Sequence, residues 1–282
     1  MTTKIIVDST ADLPAGLRSR FLVQPLSVHF GSESYADGVD ITHKEFYEKL
    51  VESDVLPTTS QPSPQEFADL FEKVTAAGDQ AVVLTVSAAL SGAYQSAMIA
   101  AADYPESIFV VDSGSASIGT GILAEYALSL ADSGMSAREL AELLMPEREN
   151  IHVVALLDTL EYLRRGGRIS GTAAIAGGIL SLKPVLSLRQ GKICTLGKAR
   201  GSRQGNNFLV REIELAGGVD FTKPLLLGYT GMSDVLLKKY IEDSARLWEG
   251  QVDALRCTCI GSVIGTHAGP GAIAVAFFKK RG

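Results

Sequence analysis

The sequence predicts an α/β protein of two domains. An N-terminal α/β/α sandwich with a parallel sheet is expected over residues 1–157, and a C-terminal α+β domain with a more antiparallel sheet over residues 158–282. In the first half, short β-branched runs alternate with helical patterns, which is typical of a parallel α/β sheet. After about residue 158, paired glycines, basic residues and strand-like runs with fewer helices between them replace that alternation.

Four runs of the N-terminal half predict strands buried on both faces, because they are apolar throughout. They are Lys4–Val7, Ala81–Val86, Ile108–Val111 and His152–Leu157. Helix starts between them carry capping boxes, in which Ser or Thr is followed three residues later by Glu. The pairs are Thr42 with Glu45, Ser63 with Glu66, and Ser136 with Glu139.

The C-terminal half contains three strand-like runs and one basic segment. The runs are Pro224–Tyr229, Leu255–Gly261 and Ala272–Phe278. The basic segment, residues 160–203, has nine Lys or Arg residues against one acid, Glu161, and so a net charge of +8 in a chain whose net charge is −6. Such an asymmetry indicates a docking or phosphate-facing surface, or only a solvated basic face.

Composition excludes several classes of protein. A net charge of −6 argues against general nucleic-acid binding. The three cysteines form no C-x-x-C pair, and Cys257 and Cys259 are expected to be alternate residues of a strand. The first residues show no signal-peptide pattern and no apolar run is long enough to span a bilayer, so we expect a cytoplasmic protein without stable membrane insertion.

Several familiar catalytic motifs are missing from the sequence. It contains no G-x-S-x-G elbow, no G-x-x-x-x-G-K-[ST] phosphate loop and no H-E-x-x-H zinc motif. Residues Gly119–Ala124 match G-x-G-x-x-A, but the match begins several residues past the end of a strand. We therefore interpret these glycines as close helix packing and not as a dinucleotide site.

One histidine stands in a setting that suggests ligand binding. His267 lies in the glycine-rich run Gly265–Ala272, which we interpret as a loop, and a buried strand follows it. Two hydroxyl-rich segments are candidate partners, Thr58–Ser63 and Ser91–Ser96. Ser91 also opens a predicted helix, whose N-terminus favours an anion. The hydroxyls of Thr59, Ser60 and Ser91 with the imidazole of His267 could hold one carboxylate, or they could be only a loop and a helix cap.

Six motifs together resemble the DegV family of bacterial fatty-acid-binding proteins. They occur in the family's order over almost the whole chain, at Asp8–Pro14, Thr58–Ser63, Ser91–Ala97, Leu157–Ile169, Leu182–Val185 and Gly265–Gly271. The resemblance implies a carrier subunit of fatty acid kinase, which holds one long-chain fatty acid, such as palmitate or oleate, between its domains. A separate kinase subunit would then phosphorylate the carboxylate to an acyl-phosphate.

The resemblance also implies roles for individual residues. Thr59 and Ser91 match the family's carboxylate-binding hydroxyls, Ser60 is adjacent, and His267 matches the histidine that completes the network. Arg200 matches a basic residue near the carboxylate, which faces the kinase or the phosphate. The chain departs from the family pattern at Ala93, where threonine is frequent, and matches it only loosely at Lys198–Gly201.

The remaining expectations concern the surroundings of this site. Arg168 and Arg203 are expected to face the kinase or the phosphate together with Arg200, and the apolar segment 173–180 is a candidate tunnel wall through Ile175, Ile179 and Leu180. The chain itself is expected to need no metal or cofactor and to have no catalysis of its own.

Two other functions remain open from the residues alone. In a lipid esterase, Ser91 would be a nucleophile activated by His267, with Asp8 or Asp112 orienting the imidazole. In a regulatory protein, the chain would bind lipid and signal through its basic face.

Overall fold

A computed structural model describes residues 2–169, 182–248 and 250–280. The strands are β1 (Thr3–Asp8), β2 (Leu22–Gln24), β3 (Ser27–Phe30), β4 (Glu33–Ala36), β5 (Thr58–Ser60), β6 (Gln80–Thr85), β7 (Ile108–Asp112), β8 (Ile151–Leu156), β9 (Leu182–Arg189), β10 (Lys192–Arg200), β11 (Leu226–Tyr229), β12 (Cys257–Cys259) and β13 (Ile273–Phe278). The α-helices are α1 (His43–Glu52), α2 (Pro64–Ala76), α3 (Ala93–Ala101), α4 (Ile118–Asp132), α5 (Ala137–Glu147), α6 (Glu161–Arg165), α7 (Gly201–Leu215), α8 (Val235–Asp243) and α9 (Ser262–Ala268).

The N-terminal part is built on a four-stranded parallel sheet in the order β2-β1-β6-β7. Successive residues of β1 point to opposite faces, so that Ile5 and Val7 pack toward α4 and α5 while Ile6 packs toward α2 and α3. The α/β/α sandwich predicted for this part is therefore confirmed, with helices over both faces of the sheet.

Local signals place the helices of this part correctly. The capping boxes at Thr42, Ser63 and Ser136 are all formed, with each hydroxyl accepting from a backbone N–H and each glutamate returning a contact to the cap. Pro64 occupies the first helical position of α2, where its missing N–H costs nothing.

The second sheet has six strands in the order β10-β9-β8-β13-β11-β12, and all neighbours are antiparallel except β11 and β12. Helices α7 and α8 cover one face through Leu209, Ile213 and Leu237. The opposite face, which carries Val153 and Ala274, meets α4. The more antiparallel C-terminal sheet is thus confirmed.

One predicted strand was assigned to the wrong sheet. The run His152–Leu157 forms β8, but β8 pairs antiparallel with β13 and β9 in the second sheet instead of joining the parallel sheet. A strand buried on both faces has the same apolar pattern in either sheet, so the sequence could not distinguish them. We propose accordingly that the division between the domains falls before Ile151.

Helix α4 lies between the two sheets and is buried from Ile118 to Ala124. A Cβ on Gly121 would collide with the backbone oxygen of Asp12, and one on Gly119 with the side chain of Val153. The interpretation of these glycines as close-packing positions is confirmed.

A small antiparallel sheet, β4-β3-β5, holds the segment around Thr59 against the rest of the molecule. Its apolar side, with α1, forms a cluster that contains Val28, Phe46 and Tyr47, and Val263 of α9 packs into the same cluster. Through this contact, β5 and α9 become neighbours although more than two hundred residues separate them in the chain.

The interpretation of residues 265–272 as a loop was wrong in its first half. Helix α9 runs from Ser262 to Ala268 and includes His267, and the turn begins only at Gly269, whose φ is +69°. The candidate tunnel wall at Ile175, Ile179 and Leu180 lies outside the described residues.

Candidate functional site

An apolar cavity of about 330 Å³ lies between the carboxyl-terminal end of the parallel sheet and the inner face of the second sheet. Its volume falls in the range of small-molecule sites, roughly 300–1,000 Å³. The N-terminal part contributes Leu26, Val86, Leu90, Ala116 and Ile118, and the C-terminal part contributes Val153, Ala155, Leu157, Leu186, Ile193 and Ala274 among others.

A hairpin of the second sheet closes one side of this cavity. Strands β9 and β10 are joined through Gln190 and Gly191, both with positive φ, as a tight two-residue hairpin turn requires. The backbone oxygen of Gly191 accepts a hydrogen bond of 2.8 Å from Ser87 Oγ, beyond the end of β6. The turn therefore fastens this wall to the parallel sheet.

The polar lining of the cavity includes the side chains that the sequence singled out. Thr59, Ser60, Ser91 and His267 all line the cavity, and they come from β5, the start of α3 and the last turn of α9. Thr59 Oγ1 lies 3.1 Å from His267 Nε2, within hydrogen-bonding distance. Because Ser60 is exposed and Thr59, Ser91 and His267 are half-buried, we call this end of the cavity the mouth.

The two serines differ in their surroundings. Ser91 Oγ accepts from the N–H of Ala93 at 3.2 Å, where α3 begins and where the helix dipole favours an anion. The side chain of Gln61 fills the space that a Cβ on Gly92 would need, which explains the glycine after Ser91. Ser60 Oγ instead lies 2.9 Å from Nε2 of His29.

Arg168, which the sequence analysis placed with Arg200 and Arg203 as facing the kinase or the phosphate, lines the cavity itself. Its Nε donates to the backbone oxygen of Leu90 at 3.3 Å and its Nη1 to that of Gly166 at 2.7 Å, so the guanidinium is tied beside Ser91 and close to His267. Arg200 and Arg203 are exposed at the start of α7, and neither is among the described residues that line the cavity. The sequence offered no signal that would place Arg168 at the cavity and leave Arg200 and Arg203 outside its lining.

His267 is neutral at physiological pH. Burial, assisted by the positive charge of Arg168, lowers the pKa of His267 from 6.5 to about 4. Its Nδ1 is buried against Gly166 and has no hydrogen-bond partner among the described residues. A buried N–H without a partner is rarer in proteins than a buried acceptor without one, so we assign the proton to Nε2, which faces Thr59.

The lowered pKa predicts how stability depends on pH. Between about pH 4 and 6.5 the unfolded chain binds a proton at this histidine and the folded chain does not, so acidification favours unfolding. Relative to a His267→Gln variant, the wild-type protein should lose up to ~3 kcal/mol of unfolding free energy between pH 6.5 and pH 4, with no change above that range. Denaturant titrations of both proteins at several pH values test this, and a constant difference would contradict it.

Gly166 controls where the imidazole can lie. Its φ of −71° suits any residue, but an added Cβ would overlap Nδ1 of His267, so the imidazole would have to move. We expect Gly166→Ala to displace the imidazole from Thr59 and to move its ¹⁵N signals in NMR spectra. The matched control is Gly167→Asn, at a position with open space and a φ of +69° that asparagine tolerates; equal shifts in both variants would contradict the prediction.

The arrangement required of an esterase is not assembled. Asp8 accepts hydrogen bonds from Thr10 and Val86, and Asp112 accepts from Ala88 and Gly114, so neither carboxylate orients His267. Among the described residues, the partner of the imidazole is Thr59 and not Ser91. The orienting roles considered for Asp8 and Asp112 are therefore wrong.

The described residues contain neither a candidate metal centre nor a candidate membrane span. No group of three or more His, Cys, Asp or Glu side chains is arranged to hold a metal ion in the part of the chain that the structure describes. No helix in the same ranges is both long and apolar enough to cross a bilayer.

Fold and site together define a two-part α/β protein that encloses an apolar cavity with a polar mouth between its sheets. The chain belongs to the DegV family, because the sequence model of that family, described as "Uncharacterised protein, DegV family", matches residues 2–280. The resemblance inferred from the six motifs is thereby confirmed.

Individual relatives agree with this assignment over their full length. A DegV domain-containing protein of Caldanaerobacter subterraneus is 35% identical over 280 residues, which cover 98% of each chain. A fatty-acid-binding DegV family protein of Thermus thermophilus has a similar structure, with a TM-score of 0.87, 32% identity and coverage of 99% of this chain and 100% of that one. A stearic-acid-binding protein of Eubacterium ventriosum has a TM-score of 0.83 at 27% identity, with 99% of each chain covered.

Proposed function

We propose that this protein binds one long-chain fatty acid, with the acyl chain in the cavity and the carboxylate at the mouth. The observation that carries the proposal is the joining of an apolar cavity to a cluster of hydroxyls, one imidazole and one guanidinium. The fatty-acid binding of the similar proteins from T. thermophilus and E. ventriosum supports the same ligand class.

The apolar lining accounts for affinity. Transfer of an acyl chain from water gains roughly 0.8 kcal/mol per buried methylene. A sixteen-carbon acid therefore gains on the order of 10 kcal/mol before the costs of association and ordering. The walls need no specific contact with the chain for this gain, only the exclusion of water.

The mouth accounts for orientation. The hydroxyls of Thr59 and Ser91 can each donate a hydrogen bond to a carboxylate. The Nε2–H of His267 can donate a third in place of its contact with Thr59. Arg168 supplies the positive charge next to them. Ser60 is a fourth donor if its hydroxyl turns away from His29. Hydrogen bonds to a charged group contribute about 1.5–3 kcal/mol each.

Presentation to a kinase subunit is the second part of the proposal. Ser60, Gln61 and Arg168 are exposed, so a carboxylate held there would lie near the surface, within reach of a partner that brings ATP and Mg²⁺. Arg200, at the end of β10, lies opposite Leu182 of β9. Two residues along β9, the backbone oxygen of Pro184 accepts a hydrogen bond from the N–H of Leu157, which lines the cavity. We therefore infer that Arg200 and Arg203 face the kinase or the phosphate in a cytoplasmic complex.

Native mass spectrometry of the purified protein, followed by solvent extraction, tests the binding. A one-to-one adduct that releases a fatty acid on extraction is the expected result. An empty protein that also takes up no added palmitate or oleate would contradict the proposal.

A coupled assay tests presentation separately. With the cognate kinase subunit, ATP and palmitate, acyl-phosphate can be trapped with hydroxylamine. Arg200→Ala with Arg203→Ala should lower the rate of trapping while palmitate affinity stays unchanged. The matched control is Arg246→Ala, an exposed arginine outside the basic segment, paired with Glu214. Equal rates for wild type, the double variant and the control would contradict the role in presentation but not the binding.

A further inference from the structure

The segment Asp8–Pro14 begins at the last residue of β1 and carries two buried acids, Asp8 and Asp12, that take no part in the mouth. Asp8 acts within the parallel sheet, because its carboxylate accepts from the N–H and hydroxyl of Thr10 and, at 2.7 Å, from the N–H of Val86 beyond β6. Asp12 differs from Asp8 because its partners belong to both halves of the molecule.

Asp12 connects two walls of the cavity through its two carboxylate oxygens. Oδ1 accepts from the backbone N–H of Gly261 at 2.7 Å, and Oδ2 accepts from Ser117 Oγ at 2.6 Å. Gly261 immediately precedes α9, and Ser117 immediately precedes α4. The side chain of Asp12 therefore fixes the distance between the starts of α4 and α9. Both starts lie at the cavity, because Ser117 and Ile260 line it.

Helix α9 has no N-terminal cap of its own, because its N-cap residue is Gly261. The first N–H groups of a helix need acceptors, and here Asp12 serves Gly261 while Asp37 Oδ1 accepts from Ser262 at 3.3 Å. Tyr47 adds a hydrogen bond of 2.9 Å from its hydroxyl to the backbone oxygen of Ile260. Three contacts thus hold the start of α9 from the N-terminal part, and the second sheet adds a backbone hydrogen bond of 2.8 Å from the N–H of Ile260 to the oxygen of Tyr229. The last turn of α9 carries His267.

We propose that Asp12 is a positioning residue, which holds the start of α9 so that His267 lies beside Thr59 at the mouth. The effect on ligand affinity rests on the proposed function, whereas the effect on the imidazole does not. Burial raises the pKa of Asp12 to about 7, opposed by the hydrogen bonds from Ser117 and Gly261. Burial of a carboxylate is unfavourable. Its presence here is consistent with a position that needs two hydrogen-bond acceptors on one short side chain.

Asp12→Ala and Asp12→Asn test the proposal at a pH above that value. Asparagine can still accept from Gly261 through its oxygen and donate to Ser117, so it should keep α9 in place. Alanine removes both bonds. We expect Asp12→Ala to lower palmitate affinity about tenfold or more, the equivalent of losing one charge-assisted hydrogen bond, and Asp12→Asn to stay within about threefold of wild type. If the alanine variant does not fold, Asp12→Ser, whose side chain is too short to reach both partners, takes its place.

The imidazole of His267 provides a second readout that needs no ligand. In long-range ¹H–¹⁵N spectra of the ligand-free protein, its signals should shift in Asp12→Ala and remain in place in Asp12→Asn. Asp8→Asn is the matched control, because Asp8 lies in the same segment and its hydrogen-bond partners among the described residues are Thr10 and Val86, not α9. Unchanged signals and affinity in Asp12→Ala, or equal shifts in the Asp8 control, would overturn the inference. A wild-type protein that binds no palmitate would instead overturn the proposed function, and the imidazole spectra alone would then decide.

Discussion

Replacing Ser91 and His267 together by alanine is expected to lower the affinity for palmitate at least about 100-fold. Each side chain donates one hydrogen bond to the carboxylate in the proposed complex, and each such bond contributes about 1.5–3 kcal/mol. Two of them amount to at least about 3 kcal/mol, which corresponds to roughly a factor of 100 in the dissociation constant. Titration calorimetry with the delipidated protein measures the difference directly.

The ligand itself offers the sharpest control for this prediction. Hexadecanol has the same chain length as palmitate but no carboxylate, so its affinity depends mainly on the apolar walls. We expect it to bind wild type and double variant with similar affinity. His152→Ala is the matched protein control, because His152 contacts the ring of Phe277 and is not among the described residues that line the cavity. A double variant that binds palmitate within about threefold of wild type would contradict the assignment of Ser91 and His267.

The parts of the fold that sequence analysis predicted correctly depend on short-range signals. A capping box such as Ser63 with Glu66 is complete within four residues, and the apolar run of β6 is long enough to predict a buried strand. Those signals are present in the chain before any tertiary contact forms. They identify helices and strands, but not which sheet a strand joins.

The errors concern structure that depends on distant residues. Strand β8 takes its place from β9 and β13, which lie up to about 120 residues further along the chain. His267 lies in a helix and not in a loop because Asp12 and Asp37 supply the capping that Gly261 cannot. No local pattern near residue 261 indicates this capping from distant residues, so the glycines of the segment predict a loop.

The candidate site was predicted only in part for a similar reason. Hydroxyls next to prolines and glycines, together with a histidine in a glycine-rich run, indicate Thr59, Ser91 and His267 as a possible carboxylate site, and the family resemblance implies the same residues. The contribution of Arg168 depends on the backbone oxygens of Leu90 and Gly166, which hold its guanidinium at the mouth. In the sequence, Arg168 is only one of nine basic residues between 160 and 203.

The part of the cavity wall formed by β8, β9 and β13 suggests what would select acyl chain length in the proposed complex. Ala274 of β13 lies directly opposite Ala155 of β8, and Ala155 lies opposite Leu186 of β9. All three line the cavity, and the two alanines are smaller than Val153 and Leu157, which line it as well. Because cross-strand neighbours on one face lie about 5 Å apart, a larger side chain at either alanine would take up cavity volume beside both strands.

Ala274→Leu is therefore expected to shift the preferred ligand toward shorter chains. The isobutyl group would exclude the distal methylenes of a long acid, at about 0.8 kcal/mol for each methylene returned to water. Exclusion of about four methylenes would lower stearate affinity roughly 100-fold, while laurate, which is shorter and keeps the same carboxylate contacts, should bind almost as in wild type. Native mass spectrometry with an equimolar mixture of saturated acids measures the preference in one experiment. Ala274→Ser, with nearly the volume of alanine, should keep the wild-type preference, and an unchanged ratio of stearate to laurate in Ala274→Leu would show that the acyl chain does not lie over this part of the sheet.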